Sequence, residues 1–176
     1  MSSLFIVTAD NRKWWAQAGV RVLKLVEGTD FSHISLAFRI NDEVRIAESV
    51  FPRFRFSIFS EWARDYRPVS VYSVSVTDEQ FSKILAYAAA HESKPYSLLQ
   101  IANIALKRAL PIFGRGLNHE GSLICSEFIA RALGRALPIP HVDDYDSVGL
   151  LEVQRIIDAL VTMGLAKRES RDLWLE

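Results

Sequence analysis

Residues 31–40 (FSHISLAFRI) and 43–50 (EVRIAESV) are two runs of period-two alternation separated only by Asn41 and Asp42. No other stretch restricts the fold as tightly. Asn and Asp tolerate the positive φ of a two-residue hairpin loop, so the runs read as an antiparallel pair in which Ile40 faces Glu43. A slip of one residue would turn a strand inside out, which makes this register decisive. On the first strand Ile34, Leu36 and Phe38 form a bulky apolar face. Phe31, His33, Ser35 and Ala37 form the other, whose smaller residues let a helix approach closely. On the second strand Val44, Ile46 and Val50 share a face with Glu48, where a carboxylate is out of place.

Counting outward from the turn sets Ser35 opposite Glu48 and His33 opposite Val50. Glu48 is then the diagonal neighbour of His33 on one face, about 7 Å away and within reach of a long side chain. A carboxylate so placed can hold an imidazole ring and stabilise the imidazolium. The plainer alternative is a Glu48 facing solvent at a frayed strand end and a His33 satisfied in the core.

The only cysteine, Cys125, lies in residues 121–133 (GSLICSEFIARAL). Ser122 reads as an N-cap, which puts Cys125 in the first turn of a helix, where unpaired N–H groups and the positive dipole end favour an anion. A thiol attacks only as its thiolate, and an imidazole at such a helix start is one way to hold one. A lone cysteine more often acts as a small buried hydrophobe. The nucleophile reading therefore rests on the conjunction of Cys125, His33 and Glu48.

In their order, residues 32–36 (SHISL), 46–49 (IAES), 95–97 (PYS) and 124–128 (ICSEF) resemble the circularly permuted papain-like enzymes. The likeness is to the YiiX-like branch of the NlpC-type cysteine peptidases and amidases, with lecithin:retinol acyltransferase-like proteins as relatives. It spans about residues 30 to 135 and implies an α+β fold with a nucleophile helix packed on an antiparallel sheet that carries the histidine. It implies Cys125 as nucleophile, His33 as general base and then acid, and Glu48 as the group that orients His33, a position that varies in this superfamily. Tyr96 matches a tyrosine often found ahead of the nucleophile helix, and Ser35 and Ser126 join it as substrate-binding candidates. An aromatic at the start of a core helix is the alternative for Tyr96. The backbone N–H of Cys125 is a natural oxyanion donor.

The 176 residues suit a single domain, 1–176, with no visible linker or repeat. The 21 basic and 21 acidic residues balance, which argues against nucleic acid as a partner, since phosphate binding needs a concentrated positive field. The basic groups Lys107, Arg108, Arg115 and Lys167, Arg168, Arg171 read as solvated helix faces and ends. Four scattered histidines, His33, His91, His119 and His141, suggest no metal site, and no cofactor motif is present. Asp143, Asp144 and Asp146 lack the spacing of a calcium loop. Residues 1–10 are too short and insufficiently basic for a signal segment, and nothing is long enough to span a membrane. The expectation is a protein made in the cytoplasm without Sec export, compatible with a phage product, a toxin delivered by a dedicated system or an intracellular hydrolase.

Periodicity predicts a strand near 3–8, a helix over 11–26, the hairpin, an apolar run at 51–58, a short helix near 60–66 and a strand at 68–76. A capping box at Thr77 and Gln80 opens a helix to about His91. Helices over 96–110 and 149–163 and a strand near Leu173 complete the pattern, which lacks a βαβ rhythm and so favours α+β. Phe54, Arg55 and Phe56 read as one wall of a substrate site or as a core strand with exposed arginines. The glycine-rich stretch 114–121 is a candidate lid. The expected activity is cleavage of an amide through a thioester acyl-enzyme, and the resemblance implies a small peptide, such as a peptidoglycan stem peptide, as the substrate class. Acyl transfer or lipid ester cleavage is the alternative among enzymes, and a catalytically silent peptide-binding module the alternative outside them.

Overall fold

The computed structural model describes residues 3–13, 17–41, 43–109, 122–139 and 148–170. In chain order the elements are β1 (Ser3–Asn11), α1 (Gln17–Glu27), β2 (His33–Ile40), β3 (Glu43–Glu48), β4 (Arg55–Ile58) and α2 (Phe59–Asp65). They are followed by β5 (Tyr66–Val74), α3 (Asp78–Ala89), α4 (Leu98–Ala109), α5 (Cys125–Gly134), α6 (Leu150–Thr162) and β6 (Ala166–Glu169). The strands form one six-stranded sheet in the order β4-β3-β2-β1-β5-β6, antiparallel at every step. The architecture is α+β.

The hairpin has the register its pattern demands. Ile40 pairs with Glu43 and Leu36 with Ala47, one step before Ser35 and Glu48. Asn41 adopts φ 50°, the left-handed conformation a tight loop needs, and Asp42 lies outside the described residues. Thr77 and Gln80 form the reciprocal capping box at the start of α3.

The two faces of the sheet are covered unequally. Leu4, Ile6, Ile34, Leu36 and Phe38 face a large core closed by α3, α5 and α6, with Phe128 of α5 packed edge-on against Phe54 at 4.7 Å. Phe5, Val7, Ala37, Ile46 and Val71 face a smaller core closed by Trp62 of α2. The small-residue face thus receives α2, while the cysteine helix packs on the bulky face, because α3, α5 and α6 together bury more apolar area there. Ala37 shares this smaller core with the Trp62 indole.

Three expected boundaries shift. The first strand runs three residues further than expected and takes in Asn11, expected to open the helix, since β1 continues past a bulge at Thr8/Ala9 to pair Asn11 with Tyr66. Only Arg55–Ile58 of the run 51–58 forms a strand. A short strand closes the sheet edge at Ala166–Glu169, and Lys167 and Arg168 lie on it rather than on a helix end. Residues 111–121, 143–146 and 173, with His119, His141, Arg115 and Arg171, lie outside the described residues. Among the described residues no helix is long and apolar enough to cross a membrane.

Candidate active site

One end of the sheet gathers the polar groups. In antiparallel order, the first residues of β2, β4 and β5 and the last residue of β3 meet there: His33, Arg55, Tyr66 and Glu48. Glu48 is fully buried and His33 is 6% exposed, so each needs partners within the protein. His33 Nε2 lies 2.7 Å from Glu48 Oε2. The same oxygen accepts the indole N–H of Trp62 at 3.0 Å, and Oε1 accepts Arg55 through Nε at 2.8 Å and Nη2 at 2.7 Å. With Nε2 committed to Glu48, Nδ1 is the ring nitrogen left for Cys125, which is near enough to contribute to the raised pKa of His33. Tyr66 stacks on the imidazole at 4.6 Å with 21° between planes, and Trp62 stacks on Tyr66 at 5.2 Å.

The approach to Cys125 is extended rather than capped. Leu123 bridges to Tyr96, and its carbonyl accepts Ser49 Oγ at 2.7 Å, which ties the end of β3 to this segment. Residues 123 and 124 are therefore held straight, and Ile124, at φ −106° and ψ 165°, becomes the N-cap in place of Ser122. Cys125 is the first helical residue. Ile124 supplies no side-chain cap, and Cys125 sits at the positive end of α5, which can favour an anion or an oxyanion.

Burial by itself pushes the His33 imidazolium down, but hydrogen bonds to Cys125 and Glu48, and the charges on both, outweigh it and raise its pKa to about 9. Burial pushes the Glu48 carboxyl up, and the bond to His33 with the charges of His33 and Arg55 overcomes this, leaving it below its ordinary value. Tyr66 and Tyr96 are both shifted upward, first by burial and then by nearby negative charge, Glu48 and Cys125 for Tyr66 and Cys125 for Tyr96. Both phenols stay protonated and can act as donors.

The other sequence candidates separate. Tyr96 and Ser126 line a cleft beside Cys125, although Ser126 Oγ donates to the Val148 carbonyl at 2.7 Å. Ser35 does not reach the cleft. It is fully buried in the sheet, with its hydroxyl unpartnered, because its face is closed by α2. Phe54 belongs to the core, whereas Arg55 turns to Glu48 rather than to a substrate wall. Trp62 and Tyr66 escaped sequence reasoning, as did the role of Arg55 as a partner of Glu48. Only the position of Arg55 directly across from Glu48 could have been counted, and that needed the register of a third strand. His91 stays apart, bonded to the Tyr87 carbonyl at 2.8 Å.

No family model matches the chain, and no curated protein matches it by sequence. Among solved structures it is similar to the crystal structure of the metalloprotein YiiX from Escherichia coli O157:H7, with 16% identity and a TM-score of 0.57. The match covers 94% of this chain and 86% of that one. At such identity the likeness concerns the fold alone: the chain has a YiiX-like α+β fold.

Proposed function

We propose that this protein is a cysteine hydrolase on a permuted papain-like, NlpC-type fold, cleaving an amide of a small peptide through a thioester. The observation that carries the reading is the buried His33–Glu48 pair, 2.7 Å apart, beside Cys125 at the start of α5. A histidine protonated up to about pH 9 suits a thiolate–imidazolium pair at neutral pH. The Cys125 sulfur attacks the carbonyl carbon, and the oxyanion forms at the N–H groups of the α5 start. The C–N bond then breaks as His33 gives its proton to the leaving amine. Water, deprotonated by His33, attacks the thioester, releasing the acid and restoring the thiol. Glu48 stays ionised throughout and fixes the ring, as the carboxylate of a triad does.

The structural neighbour is described as a metalloprotein, a property of that protein. Here the described residues contain no group of three or more His, Cys, Asp or Glu able to hold a metal ion, and the oxygens of Glu48 are taken by Arg55, Trp62 and His33. These residues do not fit a metal centre.

The test is release of new amines from purified peptidoglycan fragments by the wild type and by Cys125→Ala. Release that disappears in the variant supports the reading, and equal release by both proteins refutes it. Acyl ester cleavage is a second reading, favoured by the mainly apolar lining of the cleft beside Cys125.

A further inference from the structure

His33 is held in two different ways. Glu48 Oε2 lies 2.7 Å from Nε2, and the ring stacks on Tyr66 with centroids 4.6 Å apart and 21° between planes. A hydrogen bond at one ring nitrogen tethers that atom and resists tilting of the plane only weakly. A stacked aromatic ring resists the tilt directly, and so keeps the second ring nitrogen where it points.

Tyr66 is itself locked in place. It is 3% exposed, opens β5 opposite Asn11 of β1, and donates its backbone N–H to the Trp62 carbonyl at the end of α2. The fully buried Trp62 stacks on Tyr66 at 5.2 Å with 19° between planes. Its indole N–H donates to Glu48 Oε2 at 3.0 Å, the oxygen that also meets His33. Contacts therefore run in a closed circuit from Trp62 to Tyr66, His33, Glu48 and back to Trp62.

The face of a tyrosine ring is electron-rich and attracts a cation within about 6 Å of its centroid, more strongly where water is excluded. An imidazolium at His33 meets both conditions, since the rings are 4.6 Å apart and both residues are buried. The phenol stays neutral meanwhile, because burial and the charges on Glu48 and Cys125 push its ionisation upward.

Resting on the hydrolase reading, we propose that Tyr66 is a positioning residue for the reaction, whose ring fixes the plane of the His33 imidazole and favours its protonated form. It acts through His33 and not on the substrate. The other groups that set the charge on His33 come from different elements, Glu48 of β3 with Arg55 of β4 behind it and Cys125 of α5, and a substitution of Tyr66 leaves all three in the chain.

The experiment is NMR titration of the His33 ring in the full chain, with amine release from purified peptidoglycan fragments measured beside it. Tyr66→Leu removes the aromatic face, Tyr66→Phe keeps it, and Tyr66→pentafluorophenylalanine keeps the shape but reverses the sign of the face. The leucine and fluorinated variants are each expected to lower the His33 pKa by about 0.5–1.5 pH units, and Tyr66→Phe to recover most of that loss. In Tyr66→Leu the kcat for amine release is expected to fall by at least about ten-fold with KM little changed, as for a misplaced acid–base group. If circular dichroism shows Tyr66→Leu unfolded, the fluorinated variant set against Tyr66→Phe decides the titration by itself. A His33 that titrates at the same or a higher pH in the variants lacking an electron-rich face overturns the inference and leaves the hydrolase reading standing, as does a phenylalanine variant that falls as far as the leucine one. Equal amine release by wild type and Cys125→Ala overturns the hydrolase reading itself.

Discussion

Replacing Glu48 by Gln removes one negative charge and one acceptor from the most enclosed part of the site. In the wild type His33 is raised from 6.5 to about 9, a preference for the imidazolium worth about 3 kcal/mol at ~1.4 kcal/mol per unit. The folded value lies above the unfolded one, so this stability is fully present below pH 6.5 and is lost as pH rises through about 9. Cys125 and Glu48 share the effect, and losing an adjacent opposite charge shifts a pKa by about 1–3 units, so His33 should fall by at least about one unit in the variant. Glu48 Oε2 accepts from both Trp62 and His33, whereas the NH2 of a glutamine cannot accept at all. With the NH2 turned toward Trp62 the buried indole N–H is stranded, at a cost of about 1–3 kcal/mol, and with it turned the other way the partly exposed Arg55 loses its acceptor. The assay is the NMR titration of the His33 ring, with urea unfolding between pH 6.5 and 9.5. His91 stays out of this window, since burial pushes its pKa down, and the raised Tyr66 and Tyr96 act at or above the ordinary tyrosine value of 10.0. The expected result is a wild type that loses about 2–3 kcal/mol on going alkaline and a variant that starts lower and loses less. A His33 that titrates at the same pH in both proteins would refute the coupling.

Three more perturbations have defined outcomes. In His33→Ala, alkylation of Cys125 by iodoacetamide at pH 7 should slow by at least about ten-fold, and an unchanged rate would remove the imidazole from the activation of the thiol. Arg55→Ala should lift the Glu48 carboxyl back toward its ordinary value. The stability of a depressed carboxylate is lost as pH falls through its folded pKa, so acid unfolding of this variant should begin at a higher pH than in the wild type. Phe128→Ala empties a fully buried position packed on Phe54 and should cost about 3–5 kcal/mol in urea unfolding; a cost below ~1 kcal/mol would mean that α5 is not anchored there.

The hairpin was legible because side-chain alternation and a turn of two residues leave one register, and Ile40 opposite Glu43 then carries Glu48 to His33 by counting alone. The capping box of α3 was legible for the same reason, its partners being close in sequence. Ser122 misled because capping propensity is local, whereas the bridge between Leu123 and Tyr96 holds the segment extended for two more residues. Ser35 misled because alternation gives a face but not what covers it. Trp62 and Tyr66 carry no mark in sequence, being aromatic residues whose partners lie on other strands.

By itself, the sequence determined what is governed by short-range geometry: the hairpin and its register, the α+β mixture, the balance of charge, and a cysteine at a helix start. Tertiary structure alone decided which face receives α5 and which receives α2, because that depends on the apolar area offered by every neighbouring element. It also decided that Glu48 is clamped by Arg55 and Trp62 and that the thiol and imidazole meet. His33 and Cys125 are far apart along the chain, and no local pattern records a contact made by the closing of the whole sheet against its helices.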